Sequence, residues 1–284
     1  MTMQTTDQVA RAALEPQGGD MVRRHRLSTR LWHWINAVTI LIMLMSGLMI
    51  FNAHPALYWG QYGANPDTPW LVIWSDDTHG YLQIGQSKIA TTGFLGRWED
   101  GNGISRTSAF PSWATIPSYY SLAGARLWHL AFAWVFAGGI VIYGLVSLMN
   151  GHLRRDLLPK SEELAPSHIW ADIKHHATLN FPKGAGALRY NILQKAAYLM
   201  VLIVLIPVMI LTGLTMSPAM NAAWPWLLDL FGGRQSARSI HFITASLLVG
   251  FFFIHILMVI LAGPFNEIRS MITGKFRLPK EKSK

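Results

Sequence analysis

The sequence predicts an all-α integral membrane protein, a bundle of four membrane-spanning helices with a long outer loop and both termini in the cytoplasm. Three observations predict it. First, 51% of the 284 residues are hydrophobic and only 14% are charged, where soluble domains carry roughly a quarter charged residues. Second, the apolar residues are clumped: the stretches 31–51, 127–149, 196–216 and 240–262 contain no Asp, Glu, Lys or Arg. At a rise of about 1.5 Å per residue, each crosses a hydrocarbon core roughly 30 Å thick. Third, the basic residues are unevenly placed. Arg11, Arg23, Arg24, Arg26 and Arg30 precede the first stretch; Arg154, Arg155, Lys160, Lys174, Lys183, Arg189 and Lys195 lie between the second and third; Arg269, Lys275, Arg277, Lys280, Lys282 and Lys284 follow the fourth. The positive-inside rule puts all three groups in the cytoplasm. The formal charge of +9 then reflects topology and attraction to anionic lipid rather than nucleic acid.

Taken in order, residues 1–22 read as a polar, disordered tail. They lack the apolar centre of a signal peptide, so the first span is expected to act as its own insertion signal. The membrane domain runs over 23–277, with spans at about 31–51, 122–149, 196–216 and 240–263. The outer loop 52–119 is rich in Gly, Pro, Trp and Tyr, and its patches "HPALYWGQYG" and "WLVIW" suit an interface belt or a docking surface; a small irregular lobe is expected. The inner loop 150–193 is polar. The second outer loop, 217–239, contains "AWPWLLDLFGG", a short interfacial helix. Residues 278–284 form a basic tail.

Cysteine is absent, which removes thiolate-held iron–sulfur clusters, c-type haem attachment and disulfides. No Gly-rich dinucleotide or phosphate motif opens a helix. Any redox chemistry therefore needs another carrier, and the histidines supply one. His33, His129, His241 and His255 lie within the spans, and an ionisable residue at membrane depth marks function by default. His241 and His255 are 14 residues apart, so they share a helix face about 21 Å apart along the axis. With the topology above, His129 faces His241 in an outer layer and His33 faces His255 in an inner layer. Two neutral imidazoles from facing helices supply both axial ligands of a haem iron, and a four-helix bundle is a suitable host. The expected cofactors are two haem b groups.

Other residues follow from this arrangement. Arg30 and Arg126 each sit three residues before a ligand, in the paired clusters "RLWHW" and "RLWHL", where a guanidinium suits a haem propionate. Gly47 and Gly144 fall near the outer and inner layers and would leave clearance for the macrocycle. His54 is a competing outer-layer ligand. His25, His79, His152, His168, His175 and His176 lie in loops, with the adjacent pair His175–His176 a weak surface metal site.

The two clusters, "YNILQK" before the third span, and His241 and His255 fourteen residues apart resemble the bacterial di-haem cytochrome b subunits of nickel-iron hydrogenases, formate dehydrogenases and thiosulfate reductases. The likeness covers about Arg23 to Arg277, and the tail "LAGPFNEIRSMITGKFRL" is most similar to the thiosulfate-reductase-like branch. The resemblance implies the same ligand pairs, a bacterial inner membrane, and a quinone site beside the inner haem, where Asn191, Gln194 and Lys195 match the family's pattern; Leu193 stands where that pattern has glycine. It further implies an electron-transfer subunit working with an outer-face, molybdopterin-dependent oxidoreductase, with no bond-making site of its own. Self-association into a homodimer stays open. Two alternatives stand beside this reading. One is a free-standing cytochrome b that oxidises a small outer-face donor such as superoxide and reduces quinone. The other, from a different class, is a histidine-based transition-metal or proton transporter.

Overall fold

A computed structural model describes residues 18–63, 67–151, 153, 157–178 and 191–279. Among the described residues, four helices are long and apolar enough to cross a membrane: Leu27–Asn52, Leu122–Met149, Ile192–Met216 and Arg234–Ala262. The chain is thus a multi-pass membrane protein. Their side chains are mostly outward-facing, and no residue of the most apolar window of the fourth helix is buried. An apolar surface of that extent requires lipid as solvent, where only internally bonded backbone persists.

The third span is not a uniform α-helix. It runs as Ile192–Leu199, a π-helical turn at Met200–Leu205, then Ile206–Met216. Pro207 lies at the start of the last piece. Proline cannot donate a backbone hydrogen bond, and the wider turn absorbs the mismatch.

Every span contributes one end to each of two compact units. One takes in Met1–Trp34, Ile142–Ile203 and Gly250–Lys284 and is called the His33 unit; the other takes in Ile35–Val141 and Val204–Val249 and is called the His129 unit.

The expectation of an all-α chain is corrected in both units. In the His129 unit, the loop between spans one and two is a β-lobe rather than an irregular one. Strands β2 (Ala56–Leu57), β3 (Leu71–Ser75), β4 (Gly80–Ile84) and β5 (Ser87–Ala90) form one antiparallel sheet, and β6 (Gly96–Glu99) pairs with β7 (Ser105–Ser108). Alternation explains β3: Leu71 and Ile73 are buried while Val72 and Trp74 are half-buried, the period-2 signature of a strand. Leu57, Leu71 and Ile73 join Phe51 of the first span and Ala109 in one core. At the β3–β4 turn, Asp76 accepts from the backbone N–H groups of Thr78 and His79. Those bonds hold its carboxyl well below the usual carboxylate range.

In the His33 unit, β1 (Met21–Arg23) pairs antiparallel with β8 (Lys275–Arg277). The last residues of the segment read as a disordered tail therefore form a strand, because the main chain beyond the fourth span supplies its partner. Residues 1–17 and 280–284 lie outside the described residues. A closing helix, Pro264–Thr273, connects the fourth span to β8. The loop between spans two and three holds the helix Pro166–Ala177, and the loop between spans three and four holds Pro218–Ala223 and Trp226–Leu230.

Candidate functional site

In the His129 unit, the second span carries His129 and the fourth carries His241, their ring centroids 6.3 Å apart. Each ring is held by its Nδ1. Ser46 Oγ is 2.7 Å from the Ile42 carbonyl, to which it donates, and 3.1 Å from His129 Nδ1. Met43 O lies 3.0 Å from the same nitrogen. Thr212 repeats the device: its hydroxyl donates to Val208 O at 2.6 Å and stands 3.0 Å from His241 Nδ1. A hydroxyl whose proton is committed to a carbonyl presents only lone pairs, and a carbonyl accepts only. Nδ1 is therefore the protonated nitrogen of both rings, which leaves both Nε2 lone pairs for a metal. Glycine flanks each ring. A Cβ on Gly47 would come within 3.4 Å of His129 Cε1, and one on Gly213 within 3.5 Å of His241 Cε1.

In the His33 unit, His33 of the first span and His255 of the fourth have centroids 6.4 Å apart. His255 is stacked on Phe251 at 6.1 Å, and Tyr198 meets Phe251 edge-on. Trp34 meets His33 edge-on at 5.1 Å. His33 Nδ1 is buried without a hydrogen-bond partner, so this pair is held by aromatic packing where the other is held by hydroxyls.

Each pair leaves its two rings far enough apart that both could hold one haem iron between them. Among the described residues no group of three or more His, Cys, Asp or Glu could hold a metal ion. The donor set is two imidazoles per site, which fits a porphyrin iron and not a closed tetrahedral cage.

The structure places the other predicted residues as follows. Arg30 donates to the Ile272 carbonyl, and its Nε is buried and unpartnered. Arg126 is exposed. A Cβ on Gly144 would meet no atom within 4 Å. Asn191 caps the third span: its Oδ1 accepts from Gln194 N at 2.9 Å, while Gln194 Oε1 accepts from Asn191 N. Lys195 is buried and bonds Glu163 at 2.7 and 2.9 Å. His54 is stacked on Tyr58 and is not brought to either pair. His168 lies 4.0 Å from Asp172; His152 and the His176 side chain are outside the described residues.

Four residues of the sites escaped the sequence reading: Ser46, Thr212, Gly213 and Arg238. A signal existed for each. "SGL" at 46–48 and "TGL" at 212–214 are one small repeat, and "RSIH" at 238–241 is a third arginine three residues before a histidine. Arg238 donates to the carbonyls of Ala56 and His54, tying the β-lobe to the helix of His241.

Apolar spans that bring imidazoles together in pairs define a membrane cytochrome b, a haem b protein of electron transfer. Residues 24–274 match the model of the prokaryotic cytochrome b561 family, and the chain belongs to that family. It is 28% identical over 248 residues to a candidate protein-methionine-sulfoxide reductase subunit, YedZ1, of Azospira oryzae, an alignment covering 86% of this chain and 93% of that protein. No solved structure matches the chain at comparable significance.

Proposed function

We propose that the chain is the membrane subunit that moves electrons between quinone and a redox protein docked on the outer face, using two haem b groups held by His129/His241 and His33/His255. One observation carries this reading: two imidazole pairs, with ring centroids 6.4 and 6.3 Å apart, share the helix Arg234–Ala262. Bound haem b supplies a one-electron carrier at each pair. The chain's own residues then do the rest. Ser46 and Thr212 orient two of the ligands and fix the tautomer that is protonated at Nδ1, and Gly47 and Gly213 leave the ring faces open. Phe251 and Trp34 pack the other pair. Arg30 and Arg126 stand three residues before their ligands for the propionates, and Gly144 leaves space for the haem of the His33–His255 pair.

The charge distribution supports a cytoplasmic position for the termini and the His33–His255 pair, and the resemblance supports a bacterial inner membrane. The resemblance also supports a quinone beside that pair, with Asn191, Gln194 and Lys195 as its proposed contacts. All three already serve a helix cap or an ion pair, so Asn191→Ser, which keeps a capping oxygen, separates the roles: quinone reactivity falls only if the carboxamide itself meets quinone. The name of the Azospira relative supports a reductase as the outer partner, in keeping with the molybdopterin-dependent class. Electrons then run outward from quinol. Reduction of a methionine sulfoxide takes up two electrons and two protons and releases water.

Purified protein is expected to show the reduced-minus-oxidised spectrum of low-spin haem b, with two haems per chain by pyridine assay. His129→Ala or His241→Ala should each remove one haem and leave the other, and His33→Ala or His255→Ala should remove the complementary one. A colourless, metal-loaded preparation would favour the transporter instead.

A further inference from the structure

The first span passes the His129 ring at Gly47 and runs little more than one further turn before it enters the β-lobe. Phe51, four residues after Gly47, stays on the same helix face and is buried. Its ring lies 4.9 Å from that of Phe242, the residue next to His241. The core of the lobe is built on Phe51, and both Phe242 and Trp70 pack against that core. The lobe end of the imidazole pair is thus closed by an aromatic core, and a redox carrier beyond the lobe meets that core rather than the pair.

A stack of two indoles leads from this core to the surface. Trp70 is half-buried, and its backbone is fixed on both sides, its N–H donating to Leu57 O and its carbonyl accepting from Gly85 N. Its Nε1 donates at 2.9 Å to Ser239 Oγ, a fully buried hydroxyl on the helix of His241. The same hydroxyl donates to the Tyr58 carbonyl, so it also fixes the residue before Trp59. Trp59 stacks on Trp70 with ring centroids 5.7 Å apart and planes 21° apart, and it is 53% exposed. An indole that serves only as an interface anchor needs neither a ring stacked behind it nor a bond from that ring to the ligand helix. Among the described residues, the ring contact of the exposed Trp113 is with Phe94, which is itself exposed. That contact leads along the surface and not into the core.

We propose that Trp70 and Trp59 carry electrons between the His129–His241 haem and the outer redox partner, which exchanges them at the exposed face of Trp59. The inference rests on the haem reading above and adds the exit to it. Each transfer moves one electron from the reduced haem to the partner's acceptor centre: the iron goes from ferrous to ferric, the acceptor is reduced by one electron, and the indoles are neither oxidised nor protonated. The rings act as the medium. Electronic coupling falls off more slowly across packed π systems and hydrogen bonds than across water or empty space, and offset-stacked rings are a stable arrangement for indoles.

The test uses the full-length protein with its haem. The chain has no cysteine, so a single introduced thiol takes a ruthenium polypyridyl photoreductant at one position. Tyr62→Cys puts the label close in sequence to Trp59, at a side chain that is 80% exposed. Ile104→Cys puts it at an exposed position between β6 and β7, off the stack. A flash moves one electron from the excited label to the ferric haem, read both as growth of the ferrous band and as a shortened label emission. With the label at Tyr62→Cys, Trp59→Leu should slow the transfer by an order of magnitude, and Trp59→Phe, which keeps a ring, should recover most of the rate. Trp70→Phe keeps the core filled but loses the bond to Ser239, and should slow it as well. From Ile104→Cys the rate should not respond to Trp59→Leu, and haem content and both potentials should be the same in every variant. An unchanged rate in Trp59→Leu, or equal slowing from both label positions, would overturn the proposal. A protein that holds no haem at this pair would remove the functional reading too, whereas both haems present with an unchanged rate removes the exit alone.

Discussion

Thr212 accepts the Nδ1 proton of His241 across 3.0 Å. The bond selects the tautomer that would offer Nε2 to the proposed haem iron, and it holds the ring's angle about Cβ. Thr212→Val keeps the volume and removes the acceptor. Outer-ligand partners of this kind are worth about 10- to 100-fold in metal affinity. The variant should therefore bind its second haem at least about tenfold more weakly, and the potential of that haem should shift while the other stays. Haem titration followed by a redox titration measures both, and Thr212→Ser should restore wild-type behaviour.

Gly47 and Gly213 face the two rings of the same pair, where an added Cβ would stand 3.4 and 3.5 Å from the imidazole carbons. Those distances tolerate a methyl group but leave no room for more beside a macrocycle. Gly213→Ala should keep both haems. Gly213→Leu and Gly47→Leu should each bring the pyridine assay from two haems per chain to one, with the band of the His33–His255 pair retained. Loss of both haems would mean that the substitution acts on the bundle and not on one site.

Glu163 and Lys195 form a buried-to-intermediate ion pair at 2.7 Å, beneath the start of the third span. The Lys195 hydrogen bond is the main cause that holds the Glu163 carboxyl below its ordinary value of 4.5. A depressed carboxylate contributes stability that is present above the unfolded value and is lost as pH falls through the folded one. The contribution should thus be constant near neutrality and fade only in acid below about 4.5. Glu163→Gln leaves the Lys195 ammonium buried and alone, and should lower the melting temperature at neutral pH by several degrees. Glu163→Gln with Lys195→Met removes both charges and should recover most of that loss. If Glu163→Gln and the double variant both melt with the wild type, the pair contributes no stability.

The spans and the histidine pairs were legible because both rest on long-range regularities: about 20 apolar residues per crossing, and a 14-residue spacing that puts His241 and His255 on one face. The β-lobe was not, because its strands are two to five residues long. "LVIW" reads as an interfacial aromatic patch until the alternate burial of Leu71 and Ile73 is seen, and every residue of Ser87–Ala90 is exposed, so no pattern marks it. Ser46 and Thr212 were missed for another reason. A hydroxyl in a membrane helix ordinarily bonds back to its own turn. Both do so, through Ile42 and Val208; only the fold adds the imidazole as a second partner. Asn191 was reached as a quinone contact only through the resemblance; its capping box with Gln194 is a local role that the fold adds.

Arg238 ties the ligand helix to the β-lobe. It lies one turn before His241, and its guanidinium donates to the carbonyls of Ala56 and His54. Around it, the start of the fourth span is laced to the segment that opens the β-lobe. Gly60 O accepts from Gln235 N and Ser236 N, Gly60 N donates to Ser236 Oγ, and Ser239 Oγ bridges Trp70 Nε1 and the Tyr58 carbonyl. The first N–H groups of a helix have no partner within it, and here the lobe supplies them. The lobe and the ligand helix should therefore move together. Arg238→Gln removes the fork that holds two carbonyls at once. It should speed proteolysis of residues 54–62 and shift the potential of the His129–His241 haem without altering the His33–His255 haem. Arg238→Lys, with a charge but no fork, should fall between the two. If proteolysis accelerates while both potentials stay at the wild-type value, the strap positions only the lobe. If neither changes, the serine bonds hold the junction without the arginine.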